Sequence, residues 1–217
     1  CRRGHALSSR LEIASNLGHQ KAQSMAVTGR NGIVLVLSAP SGAGKSTLCQ
    51  ALADRRADIR LSISCTTRTP RPLEVNGKDY FFVSEKEFEA KIKNGDLLEW
   101  AQVHGHFYGT PKGPVQTHQA NGLNVVMNID TQGAQSVKKV FPDSVLVFVS
   151  PPSWEVLEKR LRGRKQDDEA TIQRRLTNAR AEMDQAPRYD YLVVNDVIEN
   201  AVEDLLAIVR AEHRRIK

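Results

Sequence analysis

Residues 39–47 read Ala39-Pro40-Ser41-Gly42-Ala43-Gly44-Lys45-Ser46-Thr47, a set of types and spacings suited to polyphosphate chemistry. Glycines allow consecutive backbone N–H groups to turn toward one point and form an anion nest. A helix opening at this loop adds its partial positive charge. Lys45 is placed to reach β- and γ-phosphates, and the Ser46 hydroxyl to ligate Mg²⁺. The P-loop pattern G-x-x-x-x-G-K-[ST] is met at Gly44, Lys45 and Ser46, with Ala39 replacing the first glycine, a position Ala suits wherever φ is negative. The plainer alternative is a glycine-rich turn with a solvated lysine. The apolar run before the loop and the helical spacing after it favour a nucleoside triphosphate site. Neither the Asn-Lys-x-Asp base reader of GTPases nor the HRD and DFG motifs of protein kinases occur.

A second cluster lies in Ser64-Cys65-Thr66-Thr67-Arg68-Thr69-Pro70-Arg71-Pro72, followed by Asn76-Gly77-Lys78-Asp79-Tyr80. Two arginines three apart around a proline can converge on one phosphate, each offering a fork of donors. This stretch resembles the nucleoside-monophosphate-binding lobe of guanylate kinase. The resemblance continues from about Ile33 to Ile216 through Leu97-Leu98-Glu99-Trp100, Tyr108-Gly109-Thr110, Asn128-Ile129-Asp130 with Gln132-Gly133, Leu161-Arg162-Gly163-Arg164, Arg174-Arg175-Leu176 and Val194-Asn195-Asp196.

That resemblance implies Mg²⁺-dependent transfer of the ATP γ-phosphoryl to GMP or dGMP. Arg68, Arg71, Tyr80 and Tyr108 would hold the GMP phosphate, and Ser64, Glu99, Thr110 and Asp130 would read guanine. Lys45, Arg68, Arg164 and Arg175 would stabilise the transferring group, with Arg160 a further candidate. The loop 39–47, Arg164 and Asn195 would bind ATP, with Ser46 on the metal. The chemistry of guanine agrees: a carboxylate accepts from N1–H and the 2-amino group together, a donor pair adenine lacks. Two positions depart from the family pattern. Asn128 stands where an acid is common, and Lys165 where the lid commonly has glycine.

The elements that must position these residues follow from periodicity. Ile33–Leu37, Asn124–Ile129, Ser144–Val149 and Tyr191–Val194 have the apolar character of strands. Helical spacing follows at Ser46–Arg56, Gln132–Phe141, Ser153–Arg162 and Ile198–Glu212. The alternation predicts an α/β fold with a parallel sheet flanked by helices. Between 64 and 122 the texture changes to short antiparallel strands and turns, with Ser84-x-x-Glu87 capping a helix that turns Phe88, Ile92 and Ala90 inward. The expected organisation is a core of 31–63 and 123–217, a lid near 160–175, and an inserted mixed GMP-binding lobe at 64–122. Residues 1–30 read as an extension, with Met25 a plausible natural start and a mitochondrial-type presequence an alternative.

Composition bounds the rest. The chain has 217 residues, 40% hydrophobic and 26% charged, ordinary globular usage with no apolar run long enough to span a bilayer. Three cysteines without a CxxC pair suit neither a disulfide scaffold nor a zinc site, so a cytoplasmic home is expected. The net charge is +6, of which residues 1–24 carry +3. What remains clusters in short anion-binding segments, so the expected partners are nucleotides rather than nucleic acid or membrane, with a homo-oligomer left open. His104 and His106 read as loop histidines, and Gln135, Lys138 and Lys139 as a solvated helix face. Two rivals remain: a ribose bisphosphate kinase of the same family, and a non-catalytic phosphopeptide-binding module. The first needs no base-reading Glu99, Thr110 and Asp130, and the second needs no Lys45.

Overall fold

A computed structural model describes residues 31–103, 105–163 and 168–216. The extension read at 1–30, His104, and the Arg164 and Lys165 of the lid lie outside the described residues. Strand β1 (Val34–Ser38) is buried at every position, as its continuous aliphatic run demands. It pairs in parallel with β7 (Asn124–Asn128) on one side and β8 (Val145–Ser150) on the other. Strands β2 (Ile59–Leu61) and β9 (Tyr191–Val194) complete the sheet in the order β2-β7-β1-β8-β9, again parallel. β2 was not evident as a strand, since three residues with an exposed Arg60 in the middle are too few to show a pattern.

Alternate side chains of a strand leave on opposite faces, and β1 shows the consequence. Leu35 and Leu37 join one core with α1 (Lys45–Arg55) and α7 (Ile198–Glu212). Val34 and Val36 join another with α4 (Thr131–Val140), Val115 of α3 (Lys112–Ala120) and Leu98 of β5 (Leu97–Val103). A third apolar cluster joins α5 (Trp154–Arg162) to α6 (Glu169–Met183) through Leu157, Leu161, Ile172, Leu176 and Ala179. The loops after β1 and β7 therefore open at the same carboxyl edge of the sheet, where the order reverses around β1 and where ligands of open α/β sheets bind.

The second sheet has the order β4-β3-β6-β5, formed by β3 (Cys65–Thr66), β4 (Phe81–Phe82), β5 and β6 (His106–Pro111). β3 and β5 run antiparallel to β6, but β3 and β4 are parallel, a correction to the all-antiparallel expectation. The long 67–80 connection lets the chain return to the start side of β3, which a tight hairpin cannot do. Helix α2 (Glu85–Asn94) carries the expected capping box between Ser84 and Glu87. Phe88 is buried and stacks on Phe107 with ring centroids 5.3 Å apart. Ala90 faces solvent instead of the interior, because Phe88 and Ile92 already fill the narrow stripe this short helix buries.

Candidate functional site

The first candidate cluster is built mainly from backbone. Gly42 and Gly44 have φ of 93° and 87°, values L-residues rarely adopt. Gly44 is needed twice over, since an added Cβ there would lie 2.5 Å from Asn195 Nδ2. Asn195 is buried and donates from Nδ2 to the Ala43 carbonyl at 2.7 Å. Its side chain thus holds the loop in shape rather than facing open space, and its own carbonyl accepts from Arg160 Nη2 at 3.1 Å. Arg160 Nη1 is buried without a hydrogen-bond partner among the described residues.

Lys45 Nζ donates to the Ile129 carbonyl at the end of β7, at 2.6 Å. Burial pulls the ammonium below its ordinary pKa, while the nearby Cys49, Asp130, Glu182 and Glu99 pull the other way. Ser46 Oγ accepts from Asn128 Nδ2 at 3.0 Å, so the residue that departs from the family pattern sits on the hydroxyl expected to meet the metal. No group of three or more His, Cys, Asp or Glu side chains among the described residues is arranged to cage a metal. An ion here would draw most of its shell from phosphate oxygens and water, which is how Mg²⁺ is ordinarily held in nucleotide sites. Ser46 with the Asn128 amide beside it fits that demand.

The second candidate cluster is built from side chains on and beside the second sheet. The β5–β6 register sets Glu99 opposite Thr110, and the β3–β6 register sets Cys65 opposite Gly109. Three residues far apart in sequence thereby converge. Thr110 Oγ1 donates to Glu99 Oε1 at 2.6 Å, and Ser64 Oγ lies 3.5 Å from Thr110 Oγ1. Burial pushes the Glu99 carboxyl above its ordinary pKa, opposed by the Thr110 hydrogen bond. Asp130 Oδ1 accepts from the Gly133 backbone at 2.7 Å, capping α4. A Cβ at Gly133 would sit 3.2 Å from Glu99 Oε2 and 3.3 Å from Asp130 Oδ1, so this glycine lets both acids approach the same helix start.

Next along the sheet, the Arg68 guanidinium lies 5.6 Å from the Tyr80 ring centre and 5.8 Å from that of Phe82. The rings of Tyr80 and Tyr108 meet edge to face at 6.1 Å, and Glu74, ahead of Tyr108, holds the Arg68 guanidinium above its ordinary pKa. Arg71 is in the same loop with its side chain exposed. Cys65 is a packed thiol, its Sγ donating to the Gly109 carbonyl at 3.2 Å. Burial raises its pKa to about 11, which keeps it unreactive.

Helix α6 supplies groups that periodicity did not single out. A cavity of about 650 Å³ is lined by Asp130, Gln132, Gln135, Asn178, Glu182 and Arg188 among others. The half-buried Arg175 precedes Asn178 and Glu182 by three and seven residues on the same helix, spacings that share one face. Burial raises the Glu182 carboxyl above its ordinary pKa, opposed by the nearby Ser41 backbone amide and Lys45. The i, i+3, i+7 spacing from Arg175 was the signal that could have found them. Gln135 belongs to this cavity, with a buried Nε2, instead of a solvated face, and Lys138 pairs with Asp190 at 3.1 Å. Both corrections follow from the packing of α4 against the chain around 185–190. Arg164, placed among the catalytic and ATP-binding residues, lies outside the described residues.

The family profile for guanylate kinase matches residues 31–212. The chain is 46% identical over 187 residues to the guanylate kinase of Caldanaerobacter subterraneus subsp. tengcongensis, covering 86% of this chain and 91% of that one. It is 49% identical over 185 residues to the guanylate kinase of Myxococcus xanthus, covering 85% and 88%. Among solved structures, the guanylate kinase of Anaplasma phagocytophilum superposes with a TM-score of 0.71 at 34% identity, covering 86% of this chain and 89% of that one.

Proposed function

Since the chain belongs to the guanylate kinase family, we propose that the two clusters described above are the donor and acceptor halves of one phosphotransfer site. The protein is a nucleoside monophosphate kinase that phosphorylates GMP. ATP is the donor, and the acceptor is GMP or dGMP. The acceptor lobe is residues 64–122 and the core is 31–63 with 123–217. No described helix is long and apolar enough to cross a membrane, and the proposed setting is the cytoplasm.

The observation that carries the assignment of the site is the Glu99–Thr110–Ser64 group beside Asp130, at the sheet edge that also holds Lys45. Guanine would give its N1–H and 2-amino protons to Glu99, with Ser64, Thr110 and Asp130 completing the reading. A base lacking that donor pair leaves a half-buried carboxylate unpaired, which costs affinity. Arg68, Arg71, Tyr80 and Tyr108 would fix the acceptor phosphate. Loop 39–44 would wrap the ATP phosphates in backbone N–H groups, and Lys45 would leave the Ile129 carbonyl for the bridging oxygens. Mg²⁺ at Ser46 would neutralise charge on the β- and γ-phosphates. Arg175 from α6, with Arg164 from the lid, would meet the charge spread over the γ-phosphoryl in flight. No general base is needed, because the acceptor is already an anion.

A coupled ADP-release assay comparing GMP, AMP, UMP and ribose 1,5-bisphosphate tests this reading. Turnover on GMP that is lost in Lys45→Ala and loses its guanine preference in Glu99→Gln is expected. Equal turnover on ribose 1,5-bisphosphate would overturn the role given to Glu99. Binding of GMP without turnover would overturn the assignment of Lys45 and loop 39–44.

A further inference from the structure

The acceptor loop contains an acid whose position runs against its surroundings. Leu73 is 94% exposed and Val75 53% exposed, while Glu74 between them turns inward. Apolar side chains out and a carboxylate in is the reverse of what burial alone selects, so contacts must hold Glu74 there. They are specific. Arg68 Nη2 donates to Glu74 Oε1 at 2.8 Å and lies 2.9 Å from Oε2, and the Arg71 backbone N–H donates to Oε2 at 2.8 Å. The Glu74 N–H in turn donates to the Arg71 carbonyl at 3.0 Å, closing the turn 71–74. Arg68 Nη1 is tied to the Thr69 carbonyl at 2.7 Å. One carboxylate therefore grips the guanidinium of one presumed phosphate holder and the backbone of the other.

We infer that Glu74 is a positioning residue for acceptor-phosphate recognition: it locks the Arg68 fork toward Tyr80 and Tyr108 and fixes the turn that carries Arg71. This rests on the reading of Arg68 and Arg71 as the groups that hold the GMP phosphate. An arginine on a free stem loses side-chain freedom each time it binds, and one already clamped has lost it beforehand. The clamp also has a cost. It places a negative charge near an incoming dianion and leaves the Arg68–Glu74–Arg71 group with one net positive charge instead of two. The pair is largely enclosed, with side-chain exposures of 15% and 18%, and its geometry is set by three bonds at once. Positioning is therefore the larger effect, and acceptor binding depends on arrangement more than on charge.

The test is calorimetric titration of the full-length protein with GMP and with guanosine, which carries the base but no phosphate. In Glu74→Ala, GMP affinity falls roughly ten- to a hundredfold, the scale of losing a charge-assisted hydrogen bond. Guanosine affinity stays within about twofold, since distant sites act independently. Glu74→Gln, which keeps one acceptor oxygen and the side-chain volume, gives an intermediate loss and serves if the alanine variant folds poorly. In turnover, KM for GMP carries the loss and kcat changes less. Unchanged or tighter GMP binding in Glu74→Gln would overturn the proposal, because charge would then outweigh positioning. A parallel fall in GMP and guanosine affinity would also overturn it, marking Glu74 as a general support of the lobe. Arg68→Ala is the separate control. If GMP affinity survives that change, the reading of Arg68 itself fails, whatever Glu74 does.

Discussion

The two clusters proposed to form the site offer different means of binding an anion. On the proposed donor side, loop 39–44 offers backbone N–H groups held between a fully buried strand and the first turn of α1. Asn195 and the core beneath keep that loop in place. On the proposed acceptor side, the candidate groups are side chains on β5, β6 and the 67–80 connection, organised by one another: Thr110 on Glu99, Glu74 on Arg68, Tyr80 against Tyr108. Backbone groups cannot be substituted, so on the proposed donor side the sensitive positions are the glycines and a few side chains, Lys45, Ser46 and Asn195. A side-chain site can be tuned to one base, and its failure modes are correspondingly graded.

The sharpest way to break the contrast is at Lys45, the side chain proposed to reach the donor phosphates. Lys45→Ala is expected to lower kcat by about 10²- to 10³-fold, the scale of removing one preorganised transition-state donor. Thermal stability should hold or rise, since a buried cation is removed. Steady-state kinetics with a melting curve checks both, and a large drop in melting temperature would recast the lysine as structural.

Glu99→Gln is next. Discrimination for GMP over other monophosphates should fall by about 10²-fold, measured as the ratio of kcat/KM values. A second effect has opposite sign. Burial raises the folded-state pKa of Glu99, so folding disfavours the ionised form. The wild type should lose stability as pH rises from the ordinary carboxylate range through the raised value, and Glu99→Gln should flatten that dependence. In the same window the wild type should lose GMP affinity as pH falls, because protonated Glu99 cannot accept both guanine donors. Denaturation and GMP titrations across pH would show the two trends crossing, and a flat wild-type profile would count against both.

Gly44→Ala probes the backbone side. Strain at φ 87° and the approach to Asn195 Nδ2 at 2.5 Å should cost about 1–2 kcal/mol of stability and raise KM for ATP. Combining it with Asn195→Ala should recover part of the loss, a coupling that a double-mutant cycle measures. Gly133→Ala is the smallest. Glu99 and Asp130 need to yield only a few tenths of an ångström, so KM for GMP should rise a few-fold with ATP binding unchanged. Equal effects on both substrates would blur the proposed division between halves.

Much of this molecule is legible in one dimension. The P-loop, the buried strand before it, the helix after it and the capping box at Ser84 are local patterns, each set by residues within one or two turns of one another. Arg68 and Arg71 are legible for the same reason. What depends on register was not. The family resemblance grouped Glu99, Thr110 and Ser64, but the contacts that join them come from the β5–β6 and β3–β6 pairings, and the parallel β3–β4 contact reversed the expected direction. Gln135, taken for a solvated position on α4, turned out to line a cavity because α6 and the 185–190 segment pack over it.

The sequence by itself determined the phosphate chemistry, because an anion nest is a property of consecutive backbone groups and needs only the right glycines in order. It also determined the alternation that makes a parallel sheet, because a strand buried on both faces cannot be written any other way. Only the tertiary structure decided the register that brings Glu99, Thr110 and Ser64 within bonding distance, that Asn128 meets Ser46, and that Glu74 turns inward to hold Arg68 while Leu73 faces water. Those contacts join residues from different strands or set a local burial preference aside. They become favourable only once the sheet has brought their partners within bonding distance.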